Sequence, residues 1–245
     1  MSIEIEFAHS TVLISGGSSG IGLGIARCFL EAGATVHVTG TRSSAADYEH
    51  ATELEGIHYH SLDVRDEAST AALIESLDAL DVLVCCAGSV AYGRKEYTLE
   101  TFKEIIDINL NGVMNLCTAS HDKLKQSEQS SVVVIGSTSS FIATPGQPAY
   151  SSSKGALVTL TKSLASAWAR DGIRVNGIAP GFVATKLTER SRSDEGIYEA
   201  SLQRIPLKRW GEAAEIGNAT LFMASPLASY VTGQMLLVDG GITLM

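Results

Sequence analysis

The chain has 245 residues, 45% hydrophobic and 18% charged, enough to bury one large core. Its formal net charge of -9 at pH 7 argues against a nucleic-acid partner, because an acidic surface repels a phosphate backbone. The first nine residues carry Glu4 and Glu6 where a secretory signal has basic residues, and no apolar run reaches membrane-spanning length, which predicts a cytoplasmic protein with no membrane partner.

Short runs rich in valine and isoleucine alternate along the chain with longer amphipathic stretches. This alternation is typical of strands that are buried on both faces and joined by crossover helices. Strands are predicted at residues 11–15, 35–39, 57–62, 82–86, 132–135, 174–178 and 235–238. Helices are predicted near residues 21–32, 67–77, 99–125, 149–170 and 212–224, with Gly33 and Gly172 at helix C-caps. The pattern predicts an α/β fold in which a doubly wound (Rossmann) seven-stranded parallel sheet is flanked by helices, as a single domain over residues 1–245.

A glycine-rich turn follows the first predicted strand and opens the first predicted helix. It reads Ser15-Gly16-Gly17-Ser18-Ser19-Gly20-Ile21-Gly22. Glycines let the backbone approach a pyrophosphate, while the helix N-terminus offers unpaired N–H groups and the positive end of its dipole. The turn predicts a dinucleotide site, with cofactor contacts from Gly16, Ser18, Ser19, Gly20, Ile21 and Gly22.

The same turn also fits G-x-S-x-G, the nucleophile elbow of the α/β-hydrolases. That mechanism needs a catalytic histidine downstream of an acidic residue, and no histidine follows His121. A dinucleotide site is therefore favoured over a hydrolase.

The second predicted strand leads into Gly40-Thr41-Arg42. Dinucleotide sites have an acidic residue here to bind the ribose hydroxyls, or a basic residue to bind the extra phosphate of NADP. Glycine stands in the acidic position, so NADP(H) is favoured, with Thr41 and Arg42 as contacts. If Arg42 is only a solvated loop charge, NAD(H) is the alternative.

Tyr150 and Lys154 are four residues apart at the start of a long predicted helix, so the phenol and the ammonium share one face. A cation beside a phenol can lower its pKa toward working pH, and such a phenol can exchange a proton with a carbonyl oxygen. Ser137 ends the fifth predicted strand, where its hydroxyl can bond to the same oxygen.

The glycine turn, Ser137 and the Tyr-x-x-x-Lys pair together resemble the short-chain dehydrogenase/reductase family, from about residue 10 to the C-terminus. The resemblance implies an NAD(P)-dependent oxidoreductase that interconverts a small ketone or aldehyde and an alcohol, and a homo-oligomer, usually a tetramer. It implies a catalytic set of Asn109, which holds a water in a proton relay, with Ser137, Tyr150 and Lys154. It also implies cofactor contacts from Asp63, Val64, Ala87, Gly88, Tyr150, Lys154, Pro180, Gly181, Val183 and Thr185. The structural alternatives are that Asp63 caps the following turn and that Asn109 supports a helix kink.

One motif departs from the family pattern. The family usually has Asn-Asn-Ala-Gly after the fourth strand, and this chain has Cys85-Cys86-Ala87-Gly88. The missing amide side chains put in doubt the hydrogen bonding beside the adenosine, but not the chemistry. These cysteines, with Cys28 and Cys117, lack metal-ligand spacing, so free thiols in a reducing compartment and no metal are expected.

The substrate is less visible than the reaction. Arg94 and Lys95 resemble paired basic residues of relatives that act on sugar acids, which suggests a polyol, a sugar acid or another small hydroxy or keto compound; a solvated loop is the alternative. Residues 89–97 and 139–147 are expected to line the substrate pocket, and the polar segment 186–210 to cover it, unless 186–210 is only a solvated helical pair.

The sequence leaves two alternative functions open. A 3-oxoacyl-[acyl-carrier-protein] reductase is the nearest competing activity, although residues 129–131 and 170–172 offer only one basic side chain for a carrier protein. A non-catalytic dinucleotide sensor or scaffold is the alternative of another class, and the intact catalytic set argues against it.

Overall fold

The fold is built on one sheet of seven parallel strands. This computed structural model describes residues 5–49, 51–185 and 188–244, apart from the side chain of Arg190. The strands are β1 (Thr11–Ser15), β2 (Thr35–Gly40), β3 (His58–Ser61), β4 (Val82–Cys85), β5 (Ser131–Ile135), β6 (Arg174–Pro180) and β7 (Met235–Val238). Their spatial order is β3-β2-β1-β4-β5-β6-β7, and every pairing is parallel. The predicted doubly wound sheet is confirmed.

The strand order reverses between β1 and β4. The chain first builds outward from β1 to β2 and β3, then returns to place β4 on the other side of β1, with Ser15 opposite Cys85. At such a reversal the crossover connections leave in opposite directions, so a crevice opens at the carboxyl ends of the two strands. The fold thus fixes where a ligand site lies before any side chain is considered.

Eight α-helices lie within the described ranges. They are α1 (Gly20–Glu31), α2 (Glu67–Ser76), α3 (Leu99–Ile106), α4 (Gly112–Leu124), α5 (Pro148–Trp168), α6 (Glu189–Ser193), α7 (Glu195–Arg204) and α8 (Ala213–Ala224). One core cluster joins the sheet to α1 and α8 and contains Phe29 and Ile216, while the other joins it to α2, α4 and α5 and contains Leu116 and Leu157. Burial on both faces explains the nearly continuous apolar sequence of strands such as β5.

The predicted helix over residues 99–125 is divided in the structure. A π-helical turn, Asp107–Asn111, separates α3 from α4. Such a turn inserts one residue into an otherwise continuous helix, so the apolar periodicity of the sequence does not reveal it. The turn carries Asn109, whose side chain is fully buried.

Other element boundaries differ from the predictions by one or two residues. β6 extends to Pro180, because Ala179 and Pro180 pair with β7 and are buried. β3 is shorter than predicted and lies at the sheet edge, where its first and last residues are exposed. Gly33 and Gly172 have the positive φ values of 89° and 78° that a C-cap glycine adopts, as predicted.

The segment 186–210 forms two short helices, α6 and α7, although its residues 186 and 187 lie outside the described part of the chain. Its C-terminal end is anchored by a small cluster of Ile205, Trp210 and Ile242, and the Trp210 indole donates a hydrogen bond of 2.6 Å to Ser201. No helix in the described ranges combines the length and apolar character needed to cross a membrane.

Candidate active site

A cavity of about 800 Å³ lies at the carboxyl ends of the strands, where β1 and β4 meet. Apart from Arg42 and Asn109, every predicted cofactor and catalytic residue lines it. Residues that are far apart in the sequence, such as Ser18, Asp63, Tyr150 and Thr185, therefore face one space. Its size is in the usual range for a pocket that holds a small molecule or cofactor.

The glycine turn between β1 and α1 forms one wall of the cavity. Gly16 has a φ of 66°, and a Cβ atom there would lie 2.8 Å from the Ala87 Cα atom, so only glycine lets the turn approach the end of β4. Ser19 at the start of α1 makes no side-chain cap, and the first turn of the helix has no acidic residue. An anionic pyrophosphate fits this helix N-terminus, which lacks a competing carboxylate.

The Ser15 hydroxyl fastens the backbone that follows β4. It accepts hydrogen bonds of 3.1 Å from the amides of both Cys86 and Ala87, and it lies 3.5 Å from the Val84 carbonyl. The loop that departs from Asn-Asn-Ala-Gly is thus held through its main chain. The neighbouring Cys85 thiol is buried with its sulfur 4.0 Å from that of Cys117.

The end of β2 meets a tyrosine that the sequence analysis did not select. A Cβ atom on Gly40 would collide with the Tyr48 hydroxyl and lie 2.5 Å from that of Ser18. The guanidinium of Arg42 stacks over the Tyr48 ring, 4.8 Å from its centroid. Burial raises the pKa of the Tyr48 phenol, but hydrogen bonds with Ser18 and Tyr59 outweigh it, and the net pKa is lowered.

Asp63 lines the cavity beyond β3, as predicted, but its carboxylate is already engaged. Arg65 binds it with both Nε and Nη2, the latter at 2.6 Å, and these bonds lower the pKa of Asp63. The Asp63 carboxylate also accepts the main-chain N–H of Arg65 at 3.0 Å, which is the turn-capping role of the structural alternative. The main-chain N–H, Nε and Nη2 of Arg65 together occupy both oxygens of this carboxylate.

The three predicted chemical groups converge at the ends of β5 and α5. The Ser137 side chain lies close enough to the Tyr150 phenol to lower its pKa as a hydrogen-bond partner. The Lys154 ammonium lies 5.7 Å from the centroid of the Tyr150 ring and donates a hydrogen bond of 2.8 Å to the Ile135 carbonyl. Only 4% of Lys154 is exposed. All three residues line the same cavity as the glycine turn.

The electrostatics of Tyr150 differ from the sequence expectation. Burial raises the pKa of this phenol, and the hydrogen bond with Ser137 opposes that rise. Smaller contributions that raise it further come from Tyr92, Cys86 and Glu96. The net pKa is above the ordinary value of a tyrosine, so the phenol is held in its protonated form.

The expected lowering of the phenol pKa by Lys154 does not set its net direction in this structure, which is upward. Burial lowers the pKa of Lys154 itself to about 8, and the ammonium is directed at the Ile135 carbonyl. With a pKa of about 8 the Lys154 side chain is still mostly protonated at neutral pH, and its ammonium donates to the Ile135 carbonyl.

Asn109 lies beside this group without lining the cavity. Its amide donates to the Ser89 carbonyl at 2.9 Å and to the Ser153 hydroxyl at 3.1 Å, and its oxygen accepts the Ser89 N–H at 2.7 Å. Both amide protons are therefore used in joining the π-helical turn to α5 and to the loop after β4. A water held by this residue has to use the second lone pair of the side-chain oxygen or the main-chain carbonyl.

The chain is similar to known proteins along most of its length. A family model described as enoyl-(acyl carrier protein) reductase matches residues 16–243. The chain is 38% identical over 238 residues to 2-dehydro-3-deoxy-D-gluconate 5-dehydrogenase of Bacillus subtilis (strain 168), which covers 94% of this chain and 93% of the relative. The chain belongs to the short-chain dehydrogenase/reductase family.

Other members of the short-chain dehydrogenase/reductase family are comparably similar. Galactitol 2-dehydrogenase (L-tagatose-forming) of Cereibacter sphaeroides is 38% identical over 240 residues, or 94% of each chain. A crystal structure of a gluconate 5-dehydrogenase from Burkholderia cenocepacia J2315, in complex with NADP and tartrate, has a TM-score of 0.88 at 29% identity and covers 99% of this chain and 98% of that chain.

As a short-chain dehydrogenase/reductase, the chain is a nicotinamide dinucleotide-dependent oxidoreductase that interconverts a carbonyl compound and an alcohol. These relatives support the small-molecule dehydrogenase of the sequence analysis, and they do not support the 3-oxoacyl-[acyl-carrier-protein] reductase. The relatives are dehydrogenases and reductases, so family membership supports an enzyme and not the alternative of a non-catalytic sensor or scaffold.

The residues expected to form the substrate end of this short-chain dehydrogenase/reductase site are only partly brought together. Of the three segments, residues 89–97 contribute Ser89 and Tyr92, and 186–210 contributes Thr188, whereas none of residues 139–147 lines the cavity. Arg94 and Lys95 are exposed and lie outside the lining, with Arg94 packed over the Tyr97 ring. Their positions fit the solvated-loop alternative.

Several lining residues escaped the sequence analysis. They are Gly40, Tyr48, Leu62, Arg65, Cys86, Ile108, Ile135 and Gly136. Cys86 and Gly136 immediately precede predicted site residues, so their position at strand ends was a usable signal. Tyr48 had none, because its place over Gly40 depends on how the chain folds back after β2.

Proposed function

We propose that this enzyme interconverts a secondary alcohol of a polyol or sugar acid and the corresponding ketone, with NADP(H) as its preferred cofactor. Tyr150 is the proton donor and acceptor, Ser137 holds the reacting oxygen, and Lys154 and Asn109 support them. The observation that carries this proposal is the convergence of the Ser137 hydroxyl, the Tyr150 phenol and the Lys154 ammonium in one cavity with the glycine turn.

The cofactor, when bound, accepts or supplies the hydride. The chain's own residues manage the proton and the charge on the substrate oxygen. Because the Tyr150 phenol is protonated at neutral pH, it can donate to the oxygen of a carbonyl during reduction. Ser137 donates a second hydrogen bond to that oxygen as negative charge develops. In alcohol oxidation the phenolate accepts the proton, so this direction gains from higher pH.

Lys154 has a binding role that its geometry supports. Its buried ammonium sits beside Gly88, 3.5 Å from where a Cβ atom on that residue would be, and close to Tyr150. From there it can donate to the hydroxyls of the nicotinamide ribose and to a water that recharges the phenol. Asn109 keeps the Gly88–Ser89 loop at this distance through its bonds to Ser89.

The preference for NADP(H) rests on the end of β2. Gly40 leaves no carboxylate to repel a phosphate, and Tyr48, Ser18 and Arg42 offer two hydroxyl donors and a cation around that position. The NADP complex of the Burkholderia gluconate 5-dehydrogenase supports the same preference. The nicotinamide end is assigned to Pro180, Gly181, Val183 and Thr185, which line the cavity.

The substrate class rests on the names of the relatives and on the polar lining near Tyr150. A gluconate derivative and galactitol are polyhydroxy compounds, as the names of two relatives state. Ser89, Tyr92 and Thr188 bring hydroxyl groups to the cavity, which suits such substrates. We assign the cover of this end to the segment 186–210.

The proposal also includes the cellular setting and the assembly. Four free cysteines suit the reducing cytoplasm. A homotetramer is favoured because β7 is an edge strand whose Leu236 and Leu237 are exposed, and Leu227 nearby in sequence is exposed as well.

The test is a screen of polyols, sugar acids and their ketones with NADPH, NADP, NADH and NAD, read by the absorbance of the reduced nicotinamide. Tyr150→Phe should lower turnover by at least ~10²-fold while cofactor binding is retained. Tyr230→Phe is the matched control, because this tyrosine is fully exposed. Turnover by Tyr150→Phe close to that of the wild type would refute the assignment of the proton donor.

A further inference from the structure

Glu96 is a buried carboxylate that the catalytic scheme does not use. Only 1% of the residue is exposed. Charged side chains are rarely buried unless they have partners. It lies in a short 3₁₀ turn, Lys95–Tyr97, in the loop between β4 and α3. A buried carboxylate calls for an account of what it binds.

Both carboxylate oxygens of Glu96 accept main-chain hydrogen bonds. One accepts the Tyr150 N–H at 2.9 Å, and the other accepts the Ala91 N–H at 3.0 Å. Tyr150 is the third residue of α5, which begins at Pro148, and Gln147 before it makes no side-chain cap. Glu96, 54 residues earlier in the chain, thus provides the N-terminal cap that the helix lacks locally.

The same turn is tied to α5 at a second point. The Tyr97 hydroxyl donates a hydrogen bond of 2.6 Å to the Pro145 carbonyl, just before the helix. The Ala91 contact extends the connection to the loop that carries Ser89 and Tyr92 into the cavity. The turn therefore connects the substrate side of the cavity to the helix end that holds the phenol.

Resting on the proposed function, we infer that Glu96 is a positioning residue: its carboxylate clamps the main chain of Tyr150 and of the substrate loop, and its negative charge disfavours the phenolate. The clamp fixes the phenol relative to Ser137, and the charge favours the proton-donating form. A local Asp or Ser cap before α5 would supply the first effect without joining the helix to the substrate loop.

The charges around Tyr150 support the electrostatic part. Burial is the largest cause that raises the pKa of this phenol, the hydrogen bond with Ser137 opposes it, and Tyr92, Cys86 and Glu96 raise it further. Lys154 is the cation on the same helix, and it is directed at the Ile135 carbonyl. Among these groups, Glu96 is the one whose charge can be removed without touching the cavity lining.

The experiment compares Glu96→Gln, Glu96→Asp and the control Glu100→Gln, in which an exposed carboxylate four residues away is neutralised. The rate of alcohol oxidation is measured against pH, and each rate is divided by the concentration of cofactor-binding sites. Tyr150→Phe is run alongside. An inactive wild type or an active Tyr150→Phe contradicts the proposed function, whereas the Glu96 variants test only this inference.

In Glu96→Gln the pH profile should move to lower pH and kcat should fall by ~10- to 100-fold, because one N–H loses its acceptor and the helix end shifts. Glu96→Asp keeps the charge but is one methylene shorter, so its kcat should fall while the profile stays in place. The KM for the cofactor should be unchanged in both, and Glu100→Gln should match the wild type.

A Glu96→Gln profile that coincides with the wild type, or a Glu100→Gln profile that moves equally, overturns the inference. If Glu96→Gln gives no folded protein, the inference is tested by the kcat of Glu96→Asp and by amide hydrogen exchange in the wild type. A wild-type kcat for Glu96→Asp, or fast exchange of the Tyr150 amide, would then overturn it.

Discussion

The hydroxyl of Tyr48 lies directly over Gly40, in the space that a side chain at position 40 would occupy. This relationship concerns cofactor choice, because position 40 is where an acidic residue binds the ribose in NAD-dependent sites. A phenol in that place donates a hydrogen bond and carries no full charge, so it tolerates a phosphate that a carboxylate would repel. The stacked guanidinium of Arg42 adds a cation at the same point.

Tyr48→Phe should therefore weaken the use of NADPH more than that of NADH. Loss of one hydrogen bond to a charged phosphate corresponds to about 1.5–3 kcal/mol, so kcat/KM for NADPH should fall by ~10- to 100-fold. The measurement is kcat/KM for both cofactors with one substrate.

The matched control for this change is Tyr59→Phe. The Tyr59 hydroxyl bonds to the Arg42 carbonyl and to the Tyr48 hydroxyl but does not line the cavity. The two kcat/KM values should change in similar proportion in this variant. An unaltered NADPH preference in Tyr48→Phe would count against the role of Tyr48.

Ser137→Ala should affect both the rate and its pH dependence. The hydroxyl donates to the reacting oxygen in the proposed scheme, and removing one such donor costs ~10²- to 10³-fold in kcat. The hydrogen bond with Ser137 also lowers the pKa of Tyr150, against the rise caused by burial. Loss of this bond should move the pH profile of alcohol oxidation to higher pH, because the phenolate then forms only at a higher pH.

Ser139→Ala is the control for Ser137→Ala, since it removes a hydroxyl two residues away that does not line the cavity. Its rates and pH profile should follow those of the wild type. A Ser137→Ala profile displaced to lower pH would contradict the assigned direction.

Ser15→Ala should destabilise the fold. The buried hydroxyl is the acceptor for the N–H groups of Cys86 and Ala87, and leaving buried donors unsatisfied costs about 1–3 kcal/mol each. The free energy of unfolding in urea should fall by that order, and the KM for the cofactor should rise because Ala87 lines the cavity.

Ser131→Ala provides the comparison. Ser131 is as buried as Ser15, but its hydroxyl has no hydrogen-bond partner in the described part of the structure. Removing an unsatisfied buried hydroxyl should leave the stability unchanged or raise it. Equal losses in the two variants would show that the Ser15 bonds contribute little.

Stability should decrease on mild acidification because of a histidine cluster on β2 and β3. The Nδ1 of His37 lies 2.9 Å from the Nε2 of His60, and the ring of His58 stacks at 4.7 Å. Burial first, and then these two neighbours, lower the pKa of His37 from 6.5 to about 4, although Asp78 opposes them.

A lowered pKa means that the folded protein binds fewer protons than the unfolded chain between pH 6.5 and about 4. The contribution of His37 is complete above pH 6.5 and is lost as the pH falls through this window. Urea unfolding of His37→Gln should show a weaker decrease with acidification than the wild type. His9→Asn, a change at an exposed histidine, should not; the same slope in all three would exclude His37 as the cause.

The fold and most of the site follow from local features of the sequence. Buried parallel strands need continuous apolar runs, and crossover helices need apolar residues with a 3.6-residue period. Both patterns can be recognised in the sequence alone. The glycine turn and the Tyr150 and Lys154 pair are also local, since their spacing places groups on one turn or one helix face. The π-helical turn at Asn109 was foreseen only as the alternative of a helix kink, because one inserted residue leaves the apolar pattern almost unchanged.

The positions of the Arg94 and Lys95 side chains could not be predicted from the sequence in the same way. Their charge suggested a carboxylate site, but whether a loop side chain enters a cavity depends on how the loop packs. Here Glu96 is turned inward to the end of α5, and the side chains of its two predecessors remain at the surface.

The sequence by itself determined the strands and helices, the glycine turn and the identity of the chemical groups, because each depends on residues close to one another in the chain. The tertiary structure alone decided the pKa of Tyr150, the place of Tyr48 over Gly40 and the clamp from Glu96 to the catalytic helix. These depend on burial and on contacts between distant segments, and both exist only once the chain has folded.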